Sequence, residues 1–176
     1  MEHMEYQPMD DQMDERVIEI ARVSKVVKGG RRFRYRVTVV VGDNKGTIGL
    51  GIGKANAVPD AMKKASDRAR KNMQKVNLYK TTIPHEVLGQ VSGARVLLRP
   101  ASEGTGVISA GGVRAVLEVA GVHDILTKSL GSANMLNVVM ATFDALHQLK
   151  DAREEAILRG KTADELLPYW DRRQHA

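Results

Sequence analysis

The 176-residue chain contains no cysteine. Disulfides and thiolate metal sites are therefore excluded, a composition that fits the cytosol, where thiols stay reduced. It lacks any run approaching the ~20 apolar residues that a membrane-spanning helix needs. No apolar core interrupts Met1–Glu15 either, so neither a membrane span nor a signal peptide is expected. The five histidines (His3, His85, His123, His147, His175) are scattered, with no H-E-x-x-H pair and no nucleophile elbow. His123 and Asp124 are adjacent, and neighbouring side chains in a strand face opposite ways. The expectation is no catalytic site, no metal and no cofactor. Internal repeats are absent as well.

What is present is ordinary globular material, 43% apolar and 27% charged, with an uneven charge distribution. Residues 1–15 hold six acids and no Lys or Arg; residues 16–80 hold 17 Lys or Arg against four acids. Residues 81–150 hold five of each, and residues 151–176 hold five against six. The acidic start, 1–15, reads as disordered. Positive charge concentrated in 16–80 is the footprint of a polyanion binder, because each neutralised phosphate releases counterions.

Hydrophobic periodicity divides the chain further. Arg16 to Val27 reads as an irregular first strand, and Lys28-Gly29-Gly30-Arg31-Arg32 as a charged turn. Phe33, Tyr35, Val37, Val39 and Val41 alternate with Arg34, Arg36, Thr38 and Val40, which predicts a strand whose apolar face, Phe33 and Tyr35 included, is core. A turn at Gly42-Asp43-Asn44-Lys45-Gly46 returns the chain as a hairpin strand through residue 53. Val58, Ala61, Met62, Ala65, Ala69 and Met73 then fall at helical spacing, with Asn56 as candidate N-cap and Pro59 in the first turn. The opposite helix face carries Lys63, Lys64, Arg68, Arg70, Lys71 and Lys75. The first unit, 16–80, is β-β-β-α. After a linker, 81–150 reads β-β-α-β-α: strands at 87–91, 95–99 and 122–130, a helix from Gly111-Gly112 to a Gly121 stop, and a longer helix after Gly131-Ser132. Thr162-x-x-Glu165 is a capping box for a short helix in a C-terminal extension, 151–176.

The stretch Thr47 to Gly53 is unusual, because Ile48, Leu50 and Ile52 share one strand face and Gly49, Gly51 and Gly53 leave the other nearly bare. Glycine weakens a strand, so such a face implies close approach of another backbone or a ligand. The apolar side is expected to hold the helix 58–73, and the glycine side to admit an RNA backbone. Gly49-x-Gly51-x-Gly53-Lys54 also invites a phosphate-loop reading. A Walker A needs a glycine four residues ahead of its Gly-Lys pair and a hydroxyl after it; those places are Ile48 and Ala55. The dinucleotide fingerprint fails too, since its third glycine is replaced by Lys54. Around Gly29-Gly30, the cations Lys25, Lys28, Arg31, Arg32, Arg34 and Arg36 suit phosphate binding by a loop. Ser102-Glu103-Gly104-Thr105-Gly106 ahead of a helix is either an anion nest or an ordinary helix-entry loop.

Several of these segments carry a family pattern. Arg22-Val-Ser-Lys-Val-Val-Lys-Gly-Gly-Arg31, Val40-Val-Gly-Asp43, Gly49-Leu-Gly-Ile-Gly-Lys-Ala55 and Val58-Pro59 resemble the signature of bacterial small-subunit ribosomal protein S5. Ala101-Ser-Glu-Gly-Thr-Gly106, Arg114-Ala-Val-Leu-Glu-Val-Ala-Gly-Val-His123, Gly131-Ser132 and Asn137-Val-Val139 resemble its second half. The resemblance covers about residues 16–167. It implies an α+β protein: a domain similar to a double-stranded-RNA-binding domain lacking its first helix, then a sandwich of left-handed β-α-β type. It implies a structural, non-enzymatic constituent of the small ribosomal subunit, located in the cytoplasm. Its partners would be the small-subunit (16S) rRNA and the ribosomal proteins S4 and S8, with no membrane and no small-molecule substrate. A role in decoding accuracy follows, with the Ser24–Arg31 loop near the spectinomycin site. The candidate rRNA-binding set is Arg22, Lys25, Lys28, Gly29, Gly30, Arg31, Arg32, Arg34, Arg36, Gly49, Gly51, Gly53, Lys54, Lys63, Lys64, Arg68, Arg70 and Lys71. Glu103, Gly104, Thr105, Gly106 and Arg114 would lie at the S4 interface. A free-standing double-stranded-RNA chaperone shares the basic patch, so charge alone does not separate it from the ribosomal reading.

Overall fold

The computed structural model describes residues 13–166. The expectation of disorder for the acidic start falls mainly outside these residues, as does the tail after Leu166. Asp14 and Glu15, however, open the first strand, β1 (Asp14–Val27). The Glu15 carboxylate accepts from Ser66 Oγ at 2.6 Å and lies 3.7 Å from Arg70, which ties the start of the strand to the helix beneath it.

β1 pairs antiparallel with β2 (Gly30–Gly42), and β2 with β3 (Thr47–Ala55). β1 carries a bulge between Val17 and Glu19, the physical form of its irregular pattern. A two-residue strand, β4 (Gln74–Lys75), completes the sheet in the order β1-β2-β3-β4. Helix α1 (Val58–Lys71) stops short of Lys75, which therefore belongs to the sheet edge rather than to the helix face. The N-cap is Ala57, without a side-chain cap bond, and Pro59 occupies the first turn. Asn56 lies one residue too early to cap.

The packing of α1 reverses the expected assignment of faces on β3. The helix lies on the glycine side, where a Cβ at Gly53, Gly51 or Gly49 would come within 1.9, 1.9 and 2.1 Å of the carbonyl oxygens of Ala61, Ala65 and Ala69. Four residues of helix rise about 6 Å, and two residues of strand about 6.7 Å. An alanine at every fourth helix position therefore keeps step with a glycine at every second strand position, and backbone rests on backbone. Val37, Val39 and Val41 share this face and form its core with Ala55, Ala61, Ala65 and Ala69. The other face, carrying Val40, Ile48 and Leu50, belongs to the larger core built with the second half of the chain.

That second half is a sheet in the order β5-β6-β8-β7, comprising β5 (Val87–Val91), β6 (Ala94–Pro100), β7 (Val107–Ile108) and β8 (Ile125–Gly131). β7 runs parallel to β8, joined through α2 (Gly111–Ala120). Gly121 closes α2 in the left-handed conformation, φ 88°. Helix α3 (Met135–His147), capped by Asn134, packs on β5, where Gly89 again meets helix backbone at Ala141 and Ala145. Two short helices follow: α4 (Ala152–Arg159), absent from the sequence reading, and α5 (Ala163–Leu166), with Thr162 Oγ1 3.2 Å from Glu165 Oε1. The fold is α+β, as expected. β8 begins three residues later than predicted because 121–124 turn: Asp124 accepts from the Gly106 amide, and the amides of His123 and Asp124 donate to Thr81.

Candidate nucleic-acid interface

β3 pairs with β2 only from Tyr35 to Gly42, whereas β1 follows β2 to its end at Gly30. Among the described residues, the hairpin beyond Tyr35 is thus a two-stranded arm without a third strand. Gly29 and Gly30, at φ 91° and 142°, turn its tip through conformations other residues resist, with open space around both. Cross-strand register places Lys25 opposite Arg32, Val26 opposite Arg31 and Val23 opposite Arg34. Alternation then sorts the cations. Lys25, Arg32 and Arg34 share one face with Arg36 and, across β3, Lys54. Arg22 and Arg31 share the other with Phe33.

Lys25, Lys28, Arg31, Arg32, Arg34 and Lys54 are exposed, and none forms an ion pair among the described residues. Arg36, at the root of the arm, is different. It is half-buried, lies 3.5 Å from Glu19, and its Nε is buried without a hydrogen-bond partner among the described residues. On α1, Lys63, Lys64 and Lys71 project outward from the alanine face. Arg68 instead donates to the Ile52 carbonyl, and Arg70 lies beside Glu15. Gly49, Gly51 and Gly53 are buried beneath α1 and leave the set, since helix backbone occupies the place assigned to RNA. Sequence reasoning recognised that something approaches this face, and the approaching group is Ala61-x-x-x-Ala65-x-x-x-Ala69.

Two aromatic expectations separate. Tyr35 is half-buried against the α1 core, as predicted. Phe33 is 47% exposed on the arm, not in the core, because the strand has run past the helix that would cover it. The Arg22 guanidinium lies over its ring, 3.9 Å from the centroid.

In the second half, the Ser102–Gly106 loop closes on itself: Thr105 donates to the Ser102 carbonyl from its amide (3.2 Å) and its hydroxyl (2.7 Å). Gly104 and Gly106 have positive φ, and the Gly106 amide donates to Asp124 at 2.9 Å. That bond, the Thr81 side chain and the Gly104 amide hold the Asp124 carboxyl below its ordinary range, against burial. The loop's anion is therefore an internal carboxylate, which answers the nest reading and was not recognised from the sequence. Glu103 and Gly104 remain exposed, Thr105 and Gly106 are half-buried, and Arg114 donates to the Val107 carbonyl at 3.2 Å. His85 accepts from the Lys150 amide through Nε2, so its Nδ1 carries the proton and donates to the Glu86 carbonyl, a structural role. Among the described residues, no group of three or more His, Cys, Asp or Glu could hold a metal, and no helix is long and apolar enough to cross a membrane.

A cationic arm and a cationic helix face on a packed α+β body have the electrostatic footprint of a polyanion-binding protein. Family models place it further: residues 13–77 match ribosomal protein S5, N-terminal domain, and residues 89–159 match ribosomal protein S5, C-terminal domain. The chain belongs to the ribosomal protein S5 family. It is accordingly a non-enzymatic structural constituent of the small ribosomal subunit that binds rRNA.

Proposed function

We propose that the arm and the outer face of α1 are the rRNA-binding surfaces within the small subunit, a cytoplasmic particle. Lys25, Lys28, Arg31, Arg32, Arg34 and Lys54 supply phosphate contacts at the arm, with Arg22 beside them. Lys63, Lys64 and Lys71 supply them at the helix, where Arg68 and Arg70 are partly engaged by protein. Gly29 and Gly30 let the tip turn tightly. Arg36 anchors the root of the arm and adds field rather than a free hydrogen-bonding fork. The observation that carries this reading is the arm itself: exposed cations, none ion-paired among the described residues, on a hairpin that runs past the third strand. Unneutralised charge on a protruding ribbon is suited to phosphates and unsuited to a protein core.

Within the same proposal, Ser24 to Arg31 lies near the spectinomycin site. Glu103, Gly104, Thr105, Gly106 and Arg114 face S4, and S8 is a second protein neighbour. The chain contributes to decoding accuracy. Support for the S4 surface is the rigid, self-bonded loop with an outward Glu103.

The test is a salt titration of binding to small-subunit rRNA. Arg31→Ala with Arg32→Ala is expected to weaken binding and to flatten the slope of log affinity against log salt by about one unit per lost phosphate contact. An unchanged affinity and slope would remove the arm from the interface. Loss of cofractionation with the small subunit after a high-salt wash, for the intact chain, would favour a free-standing RNA chaperone.

A further inference from the structure

The two faces of the arm differ in chemistry. The Arg36 face presents Lys25, Arg32, Arg34 and Lys54. The other face presents Phe33 at 47% exposure beside Val26 at 73%, with Arg22 stacked on the Phe33 ring and Arg31 nearby. Scattered exposed apolar residues are ordinary. Phe33 and Val26 on one face of a ribbon, with the ring already paired with a guanidinium, form a local platform. Phosphate contact makes no use of it. Aromatic rings and guanidinium planes are the surfaces on which unstacked bases lie.

We propose that this face receives an unpaired nucleobase of the rRNA, stacked on the Phe33–Arg22 pair, while the opposite face lies along phosphates. The arm then enters RNA as a two-sided wedge, cations alone on one side and a stacking platform rimmed by Arg31 on the other. The inference rests on the arm being an rRNA contact and adds the chemical class that its second face takes. Sheet alternation makes the division obligatory: Arg32 and Arg34 cannot turn toward the base without moving Phe33 to the phosphate side.

Binding of the full chain and of Phe33→Leu to purified small-subunit rRNA is compared across a salt series. Leucine keeps apolar bulk at an exposed position and removes the π-face. The expected result is a loss of affinity of about tenfold to a hundredfold, with the salt slope unchanged because no phosphate contact is lost. Wild-type affinity for Phe33→Leu overturns the proposal, and points to an apolar protein contact or to none. A shallower salt slope overturns it too, since the variant would then act through the phosphate contacts. In a Trp170→Phe background, Phe33→Trp provides a direct reading. Its emission is expected to be quenched on rRNA binding, and unquenched emission from bound protein overturns stacking. The Arg31→Ala, Arg32→Ala series separates the two levels. If it flattens the slope while Phe33→Leu binds normally, the base contact alone fails. If neither variant changes binding, the placement of the arm fails with it.

Discussion

At residue 51, the backbone of α1 crosses β3 so closely that a Cβ would meet the Ala65 carbonyl oxygen at 1.9 Å and the Ala69 nitrogen at 2.6 Å. Both are backbone atoms held by the helix, so neither can swing aside. Gly51→Ala is expected to push helix from strand and to destabilise the protein by about 2–3 kcal/mol, at the upper end of overpacking costs. Urea unfolding measures this; a variant as stable as the parent would mean that the alanine stripe does not hold the helix down. The requirement for glycine was legible in the sequence, because three glycines on one strand face imply close approach. The partner was less so. Its signal is the Ala61, Ala65, Ala69 spacing, whose rise matches the strand repeat, but alanines at helical spacing also occur on any buried helix face. Phe33 shows the complementary limit: alternation fixes which face a side chain takes, not how far along the strand that face stays covered.

Among the elements, the turn between β2 and β3 does more than return the chain. Asp43 accepts from the amides of Lys45 and Thr47, each at 2.8 Å, and the turn in turn donates from Asn44 and Gly46 to the carbonyls of Val119 and Ala120. Those carbonyls end α2, where intrahelical donors run out. Burial pushes the Asp43 carboxyl up, but the amides and hydroxyl of Thr47 and the amide of Lys45 outweigh it and hold it below its ordinary value. A carboxyl with a lower pKa in the folded state adds stability that is fully present above the unfolded value, near 3.9. That stability is lost as pH falls through the folded value. Asp43→Asn is therefore expected to cost about 0.5 kcal/mol at pH 7, allowing for solvent screening at a half-buried site. The gap between variant and parent should close as the pH drops below about 4. Urea midpoints at pH 7 and at pH 3 check the sign; a gap that widens in acid would contradict it. The Gly-Asp-Asn-Lys-Gly run identified a turn from sequence. Its second function was illegible, because its hydrogen-bond acceptors lie some 75 residues downstream.

For the whole molecule, the fall in charge density after residue 80 suggests a boundary, and separate family models match on either side of it. The packing nevertheless joins the halves. Val40 and Ile48 from the first sheet share one buried cluster with Val116, Val119, Ala120 and Leu146 from the second half, with Ile18 and Leu50 packed against it. Arg16 pairs with Glu118 across the same seam. The Ile48-Leu50-Ile52 alternation was readable as a buried face, but its pattern is the same whether a helix of its own unit or of the next one covers it. The consequence is thermodynamic. Unfolding the second half alone would expose Val40 and Ile48, both fully buried, at ~1.5–3 kcal/mol per side chain, and would strip the β2–β3 turn of its acceptors on α2. Calorimetry of the full chain is therefore expected to show one transition, with calorimetric and van't Hoff enthalpies equal. Val119→Asp, which places a charge in the seam, should lower the melting temperature of the entire transition rather than split it. Two resolved transitions in the parent protein would mean that the shared cluster does not couple the halves, and that the arm and the Ser102–Gly106 loop ride on independently stable bodies.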